Sequence, residues 1–89
     1  MKHEQVLEAI QPIFHEIFED ESLIITNETN ADDIEEWDSL AQINLVVEME
    51  KKFAVKFYLE DLQDLKNVGD MVRLILLKMS QRKNTDLKN

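Results

Sequence analysis

The sequence has no cysteine, and only one glycine and one proline among 89 residues. Without cysteine there is no disulfide framework, no thiol nucleophile and no thiolate metal site. Sheets and hairpins consume turn residues, so the scarcity of Gly and Pro points to helices. Bases are also few: 10 Lys and Arg stand against 19 Asp and Glu, a formal net charge of −9. That balance argues against nucleic acid as a partner, because phosphate backbones need Lys and Arg clusters. It favours basic protein partners reached by electrostatic steering. Every apolar run falls short of a bilayer span, which argues against membrane insertion, and Met1-Lys2-His3-Glu4 has no signal-peptide core. The absences predict a small cytoplasmic domain, monomeric and helical. The 44% of hydrophobic residues suffices for one modest core.

Charge is unevenly placed. Residues 1–38 hold 12 acids and 1 base, residues 39–66 hold 5 acids and 4 bases, and residues 67–89 hold 2 acids and 5 bases. The acidic field therefore lies before Ser39 and ends beside it.

Hydrophobic periodicity divides the chain into four helical segments. Val6, Ile10, Ile13, Phe14 and Ile17 recur at helical spacing over residues 3–19, interrupted by Pro12. A proline there predicts a kink, or a helix that restarts with Pro12 in its first turn. Residues 20–38 read as a long loop, rich in the turn formers Asn27, Asn30, Asp32 and Asp33. The loop also carries Leu23, Ile24, Ile25, Ile34 and Trp37, so it is expected to pack on the core. A second helix starts at Asp38-Ser39, both good N-cap residues, and runs to about Phe53. Residues 59–65 suit a brief third helix. Asn67 caps a fourth, with Asp70 in a capping-box-like position and Val68, Met71, Val72, Ile75 and Met79 on one face. The expected architecture is an all-α four-helix bundle with a long first loop and a short third helix. The domain covers residues 1–80, and 81–89 form a flexible polar tail.

On a wheel of about 100° per residue, Ile43, Leu45, Val46, Met49 and Phe53 form the core arc of the second helix, with Leu40 and Val47 at one edge. That arc is wider than the usual stripe of about 100°, so part of it faces outward or meets a loop. The plain structural role of Ser39 is to cap this helix. A nucleophilic role needs a base, and the two histidines, His3 and His15, both lie in the first segment. No Gly-x-Ser-x-Gly elbow surrounds Ser39. The reading therefore assigns no catalytic residue and no enzymatic activity. A helix N-terminus does offer free amides and a positive dipole end, a favourable place for a phosphate.

Asp38-Ser39-Leu40 at the head of a helix, followed by Ile43, Leu45, Val46, Met49, Glu50 and Phe53, resembles the acyl carrier protein motif. The resemblance runs from about Val6 to Met79 and includes the long loop and the short third helix. It implies that Ser39 is the attachment point for phosphopantetheine, transferred from coenzyme A by a phosphopantetheinyl transferase that uses a divalent metal. The thiol of that arm then holds an acyl group as a thioester. A chain without cysteine must import its reactive sulfur this way, and partner enzymes do the chemistry. The second helix is the family's docking surface. Here Asp38, Leu40, Val47, Glu48 and Glu50 are the implied contacts for acyl-loading, acyl-transfer or condensing enzymes with basic docking patches.

Several residues depart from the pattern of fatty-acid synthase carriers. Ala41, Asn44 and Lys51 stand where acids are common, and Trp37 stands where a small residue is usual. The bulky residue is similar to carriers of dedicated pathways, D-alanyl carriers included. Charge complementarity selects partners, so a changed pattern implies a changed partner. The expected function is thus an acyl carrier of a dedicated biosynthetic pathway, with an aminoacyl or D-alanyl carrier, or an unmodified helical adaptor, as alternatives.

Residues 27–38 resemble a calcium loop only faintly. Asp32 replaces the turn glycine, Ala31 offers no ligand and Asp38 replaces the bidentate Glu, so no metal site is assigned. Leu74 and Leu77 are expected to widen the core contact of the last helix, and the methionines to fill gaps.

Overall fold

Periodic apolar residues nucleate four helices in a computed structural model that describes the backbone of residues 1–88 and the side chains of residues 1–81. These are α1 (His3–Ile17), α2 (Ser39–Phe53), α3 (Leu59–Leu62) and α4 (Val68–Lys88), with a short 3-10 turn at Ala31–Asp33 inside the long first loop. No strand occurs among the described residues.

The core is built from i, i+4 rows. Val6, Ile10 and Phe14 of α1, Leu45 and Met49 of α2, and Val68, Val72 and Ile75 of α4 are all fully buried. Each such side chain contributes about 1.5–3 kcal/mol of transfer free energy. Leu74 packs on the edge of this core, whereas Leu77 is exposed.

Pro12 neither ends nor restarts α1, because it sits on the exposed side, where the carbonyl left without a partner can face water. With glycine nearly absent, the left-handed positions that close helices fall to Glu19 (φ 51°) and Ala54 (φ 54°). Beyond α1, the Asp20 N–H returns to the His15 carbonyl at 3.0 Å; beyond α2, the Val55 N–H returns to the Glu50 carbonyl at 3.2 Å. Both are Schellman-type closures, at a cost of about 1–2 kcal/mol per non-glycine residue. At the other end of the chain α4 continues past Ser80 to Lys88. Gln81 and the residues after it contain no Gly or Pro to stop it. Asn89, and the side chains beyond Gln81 in the expected tail, lie outside the described residues.

The long loop does pack on the core. Ile25 and Ile34 are buried, and Leu23 and Trp37 partly so. Ile24 is the exception and faces solvent. The chain is held there by the Gln11 side-chain amide, which donates to the Ile25 carbonyl (2.8 Å) and accepts from the Ile25 N–H (2.9 Å). An extended segment alternates its side chains, so Ile25 inward puts Ile24 outward. The loop also caps α4: Val68 N–H donates to the Thr29 carbonyl (2.8 Å) and Gly69 N–H to the Asn27 carbonyl (2.9 Å). A Cβ on Gly69 would lie 3.1 Å from that Asn27 oxygen, so the chain's one glycine is used for close approach.

Candidate functional site

Asp38 has extended backbone angles (φ −106°, ψ −171°), and its Oδ1 accepts the Ala41 N–H at 2.9 Å. It is therefore the N-cap of α2, which leaves Ser39 as the first helical residue. The capping role that pattern alone offered to Ser39 is already filled. Ser39 is exposed, and its hydroxyl bonds to no described residue. The Ser39 and Leu40 N–H groups likewise have no acceptor among the described residues. A free hydroxyl thus stands beside unsatisfied amides at the positive end of a four-turn helix, an arrangement suited to a phosphate ester.

Trp37 fixes the approach to this residue. Its indole N–H donates to Gln42 Oε1 (2.8 Å), and its ring meets Phe14 edge-on at 5.4 Å between centroids. Phe18 packs against the same ring at 6.0 Å. Beside Ser39, a cleft of about 570 Å³ opens between α2, α3 and the start of α4. Gln42, Ile43, Leu62, Leu65 and Met71 line it. Ile43 was expected in the core but is 58% exposed, and Ala41 is buried in its place. The four-residue α3 is too short to cover the α2 edge on which Ile43 lies.

The expected docking residues separate into two groups. Leu40 and Val47 are exposed, at 66% and 38%, and Glu48 is exposed with Lys51 Nζ at 3.6 Å. Glu50 instead turns inward along the chain, and its Oε2 accepts the Phe57 N–H at 2.8 Å. That carboxylate is occupied in holding the link from α2 to α3. His3 and His15 are remote from the cleft. His3 Nε2 lies 2.7 Å from Asn27 Oδ1, and His15 Nε2 donates to the Leu23 carbonyl at 2.7 Å, so both tie the loop to α1. The turn side chains of the loop are used internally as well: Asp33 accepts the Asn30 N–H (2.9 Å) and Thr29 the Thr26 N–H (2.9 Å).

The cleft wall formed by α3 is latched to α4. Lys78 Nζ lies 2.8 Å from Asp61 Oδ2, which also accepts the Tyr58 N–H at 2.9 Å, and Lys78 sits over the Tyr58 ring at 5.0 Å. The bond from Lys78, helped by the Tyr58 N–H, lowers the Asp61 carboxyl below its ordinary value of 3.8. Asp70 is lowered by the Lys66 backbone N–H and by Arg73, and Asp20 by Ser22. A lowered folded-state value means the unfolded chain binds more protons. The stabilisation is therefore complete above about pH 4 and disappears as the pH falls through the folded-state values. Denaturant titrations are expected to show Asp61→Asn less stable than wild type at neutral pH, with the gap closing below about pH 4. A gap that persists unchanged in acid would refute the latch.

Residues 6–75 match the family described as phosphopantetheine attachment site. A holo acyl carrier protein from Geobacter metallireducens, solved by NMR, superposes with a TM-score of 0.82 at 45% identity, covering 88% of this chain and 90% of that one. The chain belongs to the acyl carrier protein family. Meromycolate extension acyl carrier proteins of Mycobacterium leprae (strain TN) and Mycobacterium tuberculosis (strain ATCC 25618 / H37Rv) are each 36% identical to it over 72 residues. Those 72 residues are 81% of this chain and span 63% of the relatives' length. The cofactor of this acyl carrier protein is covalently attached phosphopantetheine. An exposed hydroxyl, two open amides and an adjoining cleft fit such a group.

Proposed function

We propose that this acyl carrier protein holds an acyl group as a thioester on a phosphopantetheine arm at Ser39, and presents it to the enzymes of a dedicated biosynthetic pathway in the cytoplasm. The observation that carries the reading is the division of labour at the start of α2: Asp38 caps the helix, and the Ser39 hydroxyl is left uncommitted. In arm transfer the Ser39 Oγ forms a bond to the phosphorus nearer the pantetheine of coenzyme A. The nucleotide leaves with the other phosphate, and the hydroxyl proton passes to the transferase. The bound arm supplies the thiol that this chain lacks. The protein's own part is presentation, so it needs no catalytic residue.

A dedicated pathway is supported by Trp37, by an α2 whose two acids are matched by two lysines, and by relatives named as meromycolate extension acyl carrier proteins. Asp38, Leu40, Val47 and Glu48 make up the docking edge, and Glu50 shapes the end of α2 rather than meeting a partner. Mass spectrometry after incubation with coenzyme A, magnesium and a phosphopantetheinyl transferase tests the attachment point. Val47→Glu tests the edge: acyl transfer from the loaded arm is expected to fall about tenfold in kcat/KM, equivalent to ~1.4 kcal/mol, with helicity unchanged. Loss of helicity would instead make Val47 a core residue.

A further inference from the structure

A second hollow lies on the other side of Ser39. It is a trough between α1 and α2, made of two adjoining sections of about 320 and 260 Å³ that share Ile17 and Asn44. Its apolar floor is Ile13, Ile17, Phe18 and Leu40. Its rim carries Glu16, Glu19, Glu36, Asp38 and Glu48, and no lysine or arginine lines either section. The cleft on the α3 side differs, with Lys66 in its wall and Lys78 occupied on the neighbouring helix.

We propose that the transferase acting on Ser39 seats an amphipathic segment bearing Lys and Arg in this trough, so that recognition extends onto α1. The inference rests on Ser39 being the attachment point. The enzyme that makes the bond to Ser39 Oγ must press on the adjoining surface, and the trough begins at Asp38 and Leu40, on either side of that residue. Apolar floor and acidic rim match a helix with one apolar and one basic face. Glu48 shares its charge with Lys51, whereas Glu16 and Glu19 have no ion-pair partner among the described residues. Glu36 and Asp38 are likewise without an ion-pair partner among the described residues, and Glu16 and Glu19 carry that uncompensated field onto the α1 side of the trough. Occupying the trough leaves the cleft on the α3 side open for the arm.

The test compares arm transfer from coenzyme A by a broad-specificity phosphopantetheinyl transferase to three proteins over a range of NaCl concentrations. They are wild type, Glu16→Lys/Glu19→Lys, and Glu60→Lys/Asp64→Lys, which makes the same charge change at exposed positions on the α3 side. The α1 pair is expected to lower kcat/KM about tenfold or more, with kcat little changed and the deficit shrinking at high salt. The α3 pair is expected to stay within about twofold of wild type. Glu16→Gln/Glu19→Gln, with circular dichroism on all variants, guards against a folding defect and is expected to show a smaller loss in the same direction. Equal effects of the two Lys pairs would reduce the cause to net charge, and a larger effect of the α3 pair would move the surface to the other side of α2; either overturns the proposal. If the α1 pair behaves as wild type while wild type takes the arm, only this proposal fails. If wild type takes no arm, the assignment of Ser39 fails with it.

Discussion

Ser39→Ala is expected to keep the four-helix fold and to abolish every gain of mass on incubation with coenzyme A, magnesium and a phosphopantetheinyl transferase, while wild type gains one arm per chain. The fold tolerates the change because the Ser39 hydroxyl holds nothing together: Asp38 accepts the Ala41 N–H, and Ser39 is exposed. Alanine is also the best residue for a helical position. Asp38→Ala gives the opposite pattern, losing a cap worth about 0.5–2 kcal/mol while leaving the hydroxyl in place. Intact-mass spectrometry and circular dichroism read the two effects separately. An arm still added to Ser39→Ala would assign it to another hydroxyl, such as Ser22 or Ser80. A wild type that takes no arm from a competent transferase would return the chain to the adaptor reading.

Phe14→Ala is expected to cost about 3–5 kcal/mol, the range for deleting a buried aromatic ring. Small domains often have only about 5–15 kcal/mol of total stability, so this one change brings the protein close to unfolding. Phe14 is fully buried, and its ring faces both Phe18 (6.1 Å) and Trp37 (5.4 Å). Removing it leaves a cavity under Trp37, the residue that holds the loop just before Asp38 and Ser39. Urea denaturation is expected to show the loss of stability, and arm transfer at rising temperature is expected to fail earlier than in wild type. Phe18→Ala, at a partly buried position, should cost less. A loss below about 1 kcal/mol for Phe14→Ala would mean that the surrounding side chains collapse into the space, and that Trp37 does not depend on it.

The helices, the start of α2 and the family were all legible in the order of residues. Helix formation, capping and the position of Ser39 depend on neighbours within one or two turns, and the sequence displays those neighbours directly. Asn67 shows the same locality: its Oδ1 accepts the Asp70 N–H at 2.9 Å, as the spacing predicts. A helical wheel ranks positions around one axis and does not know which neighbour covers each side, so it puts Ile43 in the core arc and does not show where the Glu50 carboxylate turns. Ile43 lost its cover to the brevity of α3, and Glu50 found a backbone amide seven residues ahead. The Gln11 clasp on Ile25, fourteen residues away, and the Lys78 latch on Asp61 left no pattern to read, since these half-buried polar residues look in the sequence like any others at the margin of a helix's apolar face. Such pairings are chosen when the helices pack and bring distant groups together. Short-range backbone chemistry thus specified where the Ser39 hydroxyl stands, and the packing of α1, α3 and α4 around α2 decided which surfaces beside it are open.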